Sequence, residues 1–201
     1  MFSGFQVGFN GYGALMKGLG KFYVEDCVAT KCDIGFAAVK NVDFSFIRCN
    51  AYSNNSDGFR VQYSSSGAWQ YCTARNNGGD GFFATRNSVA HLDYCTSEGN
   101  VTGLHIDMAA RVACIQNDFK RNTKYGVLIE GAAEWGRDDK TGNPNNFFVG
   151  TGDANGAPFA HFGVGRTNGL YSQSATNEYK TYSRYTFDDH TGTTSNTPLA
   201  V

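Results

Sequence analysis

Asp107 and Glu130 stand 23 positions apart, and His105 lies two residues before Asp107. If the two carboxylates project from one face, repulsion between like charges raises the pKa of one and leaves an acid beside an ionised partner. That pair is the equipment of a glycoside hydrolase, one carboxyl serving as acid and the other as nucleophile or base. Arg60, Gln62, Phe83, Thr85 and His105 fall at matching places, 22 or 23 residues apart from one repeat to the next. A cation, an amide, an aromatic ring, a hydroxyl and an imidazole along one strip suit a sugar chain. Asp107 and Glu130 are therefore the catalytic candidates, and the other five are the glycan-binding candidates. The bland alternative is a solvated face that tolerates charge.

Other sets carry less chemistry. Asp57 and Asp80 precede Gly58 and Gly81 and would stack on each other, but Asp-Gly is also ordinary turn chemistry. His91 and Asp93, two apart, could orient a base, with no third partner in view. The six cysteines include no CxxC pair. Asparagine replaces cysteine at equivalent places, which fits a role in filling turns and not a metal or disulfide role. The loops 137–145, 152–156 and 188–190 hold partial oxygen sets for Ca²⁺. Tyr171, Tyr179, Tyr182 and Tyr185 read as packing or subunit contact. No metal centre and no cofactor is expected.

The elements that must position these residues follow from a ruler. Gly13, Gly35, Gly58, Gly81, Gly103 and Gly126 are spaced by 22, 23, 23, 22 and 23 residues. Fourteen residues after the first five come Cys27, Cys49, Cys72, Cys95 and Asn117. Nineteen after them come Cys32, Asn54, Asn77, Asn100 and Asn122. Apolar residues alternate within short segments, the period-2 signature of strands. A coil of 22–23 residues is too short for a strand, a helix and two loops. Stacked on itself it makes an all-β, parallel β-helix solenoid, whose equivalent residues lie about 4.8 Å apart. Each column of the repeat becomes a ladder in space.

The stretches "WQYCTARNNGGDGFFA" (69–84) and "LDYCTSEGNVTGLHI" (92–106) put Cys or Asn at the turn and Gly-apolar at the next strand. Over residues 1–131 this pattern resembles the right-handed parallel β-helix superfamily of pectate-lyase-like proteins, polysaccharide-active enzymes and phage tailspikes. The resemblance is closest to a bacteriophage tailspike or tail-fibre piece. It implies a homotrimer on a virion tail, or an extracellular protein, that binds bacterial surface polysaccharide. It also implies a glycan depolymerase, a glycosidase before a lyase. A secreted lyase or hydrolase and a purely structural adhesin are the alternatives, because the fold hosts all of them.

The bulk composition agrees with an all-β chain. Of 201 residues, 25 are Gly, 14% are aromatic and 17% are charged, with a net charge of −1. That balance offers no attraction to nucleic acid or to an acidic membrane. No apolar run approaches the roughly 18 residues of a bilayer span, and no signal peptide is visible. The first residues fall part-way through a coil, so a longer parent chain or a covering subunit is expected at that end. The ruler fails after Glu130, and residues 132–201 are expected to form an irregular coil or loop with a capping or subunit-contact region.

Overall fold

A computed structural model of the chain describes residues 12–115, 117–131 and 133–137, with the strand segments 2–3, 6–7, 146–148, 157–163 and 166–167. Among these residues there are strands and turns and no helix. The strands form three parallel sheets that run the length of the solenoid. Sheet A contains Gly20–Glu25, Val42–Ile47, Ser66–Gln70, Val89–Asp93 and Arg111–Ile115 in that order. Sheet B contains Val28–Thr30, Asn50–Tyr52, Thr73–Arg75, Thr96–Glu98 and Asn117–Lys120. Sheet C contains Tyr12–Lys17, Ile34–Val39, Phe59–Gln62, Asp80–Ala84, Thr102–Ile106 and Tyr125–Gly131. Each coil contributes one strand to each sheet, and the ruler glycine marks the start of the sheet C strand.

Register follows the repeat. Phe36 pairs with Phe59, Phe59 with Phe82, and Phe82 with Leu104. These residues point inward and are fully buried, and the phenyl rings stack at 5.1 and 4.9 Å. From sheet A, Val24, Phe46, Trp69, Leu92 and Cys114 meet them across an apolar core. Transfer of that apolar surface out of water is the main favourable term. Past Glu130, where the ruler fails, strands Glu134–Arg137, Asn146–Phe148 and Ala157–Gly163 still add in parallel, the last pairing Glu130 with Phe162.

The corners explain the Cys and Asn columns. Asp26, Arg48, Tyr71 and Tyr94 have positive φ just before the cysteines, and Lys31, Ser53, Asn76 and Gly99 do so just before the Cys32 column. A chain that turns there leaves backbone N–H groups facing inward, and each needs an acceptor. Asn54 Oδ1 accepts from the Cys32 N–H at 3.0 Å, Asn77 Oδ1 from the Asn54 N–H at 3.1 Å, and Asn100 Oδ1 from the Asn77 N–H at 2.9 Å. In the other column the Cys72 N–H reaches Cys95 Sγ at 3.3 Å, and the Cys95 N–H reaches Asn117 Oδ1 at 2.9 Å. Thiol and amide interchange because either one accepts from the rung before.

The glycines make room for that ladder. A Cβ on Gly58 would lie 2.8 Å from the Gly81 carbonyl oxygen and 3.0 Å from Asn77 Nδ2. One on Gly103 would lie 2.3 Å from the Gly126 oxygen and 2.9 Å from Asn122 Nδ2. These glycines are required for space, and their φ is not in the left-handed region.

Candidate functional site

Alternation along sheet C sends the residue two after each glycine outward. Arg60, Phe83, His105 and Leu128 are in register on successive strands and form one outward column. Arg60 lies 5.4 Å from the Phe83 ring centroid, and Phe83 and His105 stack at 4.7 Å with an interplanar angle of 21°. Because Phe83 stands on the middle strand of the three, its two ring faces are covered by Arg60 and His105. The ring is partly exposed and is also a spacer between the two in the column.

His105 is the hub. Its Nδ1 is 2.7 Å from Asp80 Oδ2, and its Nε2 is 2.9 Å from Glu130 Oε2. The imidazole thus bridges carboxylates from the strands on either side of its own. Burial opposes its charged form, but the hydrogen bonds and negative charges of Asp80 and Glu130 outweigh that and hold its pKa above the usual imidazole value. Protonated, it donates one N–H to each carboxylate. Its side chain is 15% exposed, that of Asp80 15% and that of Glu130 45%, so Glu130 is the open member.

A second charge pair continues the strip. Arg60 Nε donates to Asp57 Oδ2 at 2.6 Å, and Asp57 Oδ1 accepts the Asp80 N–H at 3.0 Å. Burial raises the Asp57 pKa; the Arg60 charge lowers it and the Asp80 charge raises it again. The sequence places Asp57 and Asp80 one above the other before their glycines, with ordinary Asp-Gly turn chemistry as the favoured role. The two are neighbours, each side chain also has its own partner, Arg60 or His105, and Asp57 supports the Asp80 backbone.

The remaining candidates are placed as follows. Gln62 shares the outward face with Arg60 and is half-buried. Thr85 is buried, 3% exposed, because strand Asp80–Ala84 ends before it and the chain turns at Arg86 and Asn87. Asp107 lies one residue past strand Thr102–Ile106, before a turn at Met108 and Ala109. Its Oδ1 is buried with no hydrogen-bond partner. The contact made at Glu130 is to His105, so Glu130 and His105 are brought together while Asp107 stays outside that hydrogen-bonded set.

A profile of the right-handed beta-helix region matches residues 2–123. The chain belongs to the right-handed β-helix family. No curated protein and no solved structure gives a match. Within this β-helix, the cysteines are buried thiols. The Cys49 pKa is raised by its hydrogen bond with Cys72 and by burial, and that of Cys72 chiefly by burial, so neither is a nucleophile at neutral pH. A shallow groove of about 280 Å³ lies elsewhere, on sheet A, lined by Lys21, Tyr23, Asp43, Ser45 and Ser66 among others. His91 and Asp93 stand on the outward face of Val89–Asp93. The loops 138–145, 152–156 and 188–190, with Tyr171, Tyr179, Tyr182 and Tyr185, lie outside the described residues.

Asp80 is the member that sequence reading placed in a different role. It was visible as an Asp-Gly turn, but its reach to His105 runs diagonally, from the place before one glycine to the place two after the next. The repeat fixes which columns face outward; it does not fix which way a side chain leans along the axis.

Proposed function

We propose that this β-helix binds bacterial surface polysaccharide along the outer face of sheet C and hydrolyses it there. The observation that carries the proposal is the Asp80–His105–Glu130 bridge, a set of proton-exchanging groups on an outward strip of a solenoid. Glu130, the open carboxylate, acts as the base or nucleophile. His105 holds it in place, and Asp80 fixes the ring from the other edge. The two hydrogen bonds leave opposite edges of the imidazole, so the ring stands between the two carboxyls; with Glu130 as base taking the proton of the attacking water, the protonated His105 beside it supplies the proton to the leaving oxygen. A tailspike or tail-fibre setting, a homotrimer and a virion or extracellular location complete the proposal.

The test is release of reducing ends from purified surface polysaccharides. Glu130→Gln should lower the rate by about 100-fold or more while the glycan still binds. Asp107→Asn should leave it close to unchanged; a loss as large as that of Glu130→Gln would restore Asp107 as the second carboxyl. A structural adhesin is the second reading. It is favoured by the way Arg60, Phe83 and His105 satisfy one another within the chain. It predicts binding or assembly with no reducing ends from any glycan.

A further inference from the structure

We infer that the glycan taken by the His105 strip is uncharged rather than acidic; this rests on the glycan-binding reading above and specifies its substrate class. Three carboxylates, Asp57, Asp80 and Glu130, share the strip with two cations, Arg60 and His105. Both cations are already held. Arg60 is bound to Asp57 and packed on Phe83. His105 has both ring nitrogens occupied, by Asp80 and by Glu130. With every group ionised the strip is negative by one charge, and a neutral imidazole makes it more so.

The surroundings do not reverse the balance at the strip itself. Lys17 is exposed on the strand two rungs from Arg60, and Lys124 is exposed in the turn before Tyr125–Gly131. Asp107 flanks the same face. A uronate or sialate repeat would bring its carboxylate against the most open group of the set, Glu130, 45% exposed, with no unheld cation in the strip to receive it. The partly buried setting strengthens that repulsion. Sugar hydroxyls meet the opposite situation. Asp80 Oδ2 and Glu130 Oε2 are the oxygens that hold His105, and the second oxygen of Glu130 remains to accept from a donor. Discrimination here comes from repulsion of the wrong partner as much as from attraction of the right one.

The experiment measures binding of the intact chain to purified bacterial capsular and O-antigen polysaccharides, one group with uronate or sialate repeats and one with none, at low and high salt. The expected result is binding within the uncharged group, insensitive to salt and at least about tenfold tighter than to any acidic polymer. Glu130→Gln removes one negative charge while its amide oxygen still accepts from His105 Nε2, and acidic polymers should then gain affinity. Binding to acidic polymers that equals or exceeds binding to uncharged ones overturns the inference and leaves the glycan reading standing. An unchanged preference in Glu130→Gln overturns the electrostatic cause. Binding to neither group overturns both readings.

Discussion

At the scale of single residues, the His105 bridge and the Asn ladder make separable predictions. His105 has a folded pKa above its unfolded value of about 6.5. Its stabilising contribution is therefore fully present below that unfolded value and is lost as pH rises through the folded pKa. Urea midpoints at about pH 6 and about pH 8.5 should show the protein weaker at the higher pH, and His105→Gln should flatten that difference. A variant that keeps the full pH dependence would remove the imidazole as its source. Asn77 acts through geometry instead of charge. Its Oδ1 takes the Asn54 N–H and Nδ2, and its own Nδ2 reaches Ala51 O and Asn100 Oδ1. Asn77→Ala strands buried partners on both sides and should cost about 3 kcal/mol or more in chemical denaturation. Asn77→Cys should cost less, since a thiol already occupies the same column at Cys32.

At the scale of the strand and its turn, the ruler glycines are the sensitive positions. A Cβ on Gly81 would lie 2.1 Å from Ser97 Oγ and 2.8 Å from the Gly103 carbonyl oxygen. The backbone cannot yield without parting two rungs, so Gly81→Ala should destabilise by about 3 kcal/mol. Ser97→Ala would relieve only one of three close contacts, and the double variant measured against both singles shows how much the Gly103 oxygen and Asn100 Nδ2 together matter. Strands, their order and their inward faces were legible in the sequence because glycine, asparagine and alternation repeat at fixed steps. Arg60, Phe83 and His105 were legible as one outward column for the same reason. Thr85 and Asp107 were not, because strand ends depend on paired left-handed residues such as Arg86–Asn87 and Met108–Ala109, which carry no common residue type. Nor could spacing show that neighbours in an outward column cover each other's ring faces, as Arg60 and His105 do to Phe83. Side chains in one column touch each other once the rungs are about 4.8 Å apart.

At the scale of the whole solenoid, each coil contacts mainly the coils before and after it, so stability adds coil by coil. Removing Gly58–Asp80 deletes 23 residues and joins Asp57 to Gly81, the equivalent of Gly58. Every column then closes on the next rung: Phe36 meets Phe82, Phe46 meets Leu92, Ala51 meets Ser97, and the Asn54 N–H meets Asn100. The shortened chain should fold cooperatively, with its urea m-value lower by roughly a fifth, in proportion to the surface of one coil. Removing Gly58–Trp69 instead shifts sheet B residues into sheet C places, turns the glycine and asparagine columns out of line, and should abolish cooperative unfolding. Circular dichroism with urea titration separates the two. Equal tolerance of both deletions would mean that the columns do not set the register. The coil deletion also carries a functional readout, because it removes Arg60 and Gln62 and puts Asp57 in the place of Asp80 before Gly81, so the carboxylate that faces His105 is kept. If hydrolysis depends on a carboxylate there to fix the ring, the shortened chain keeps its activity, and the shortened chain carrying Asp57→Asn folds and is inactive. If Glu130 with His105 suffices, the Asp57→Asn shortened chain also keeps its activity, and the bridge reduces to a pair.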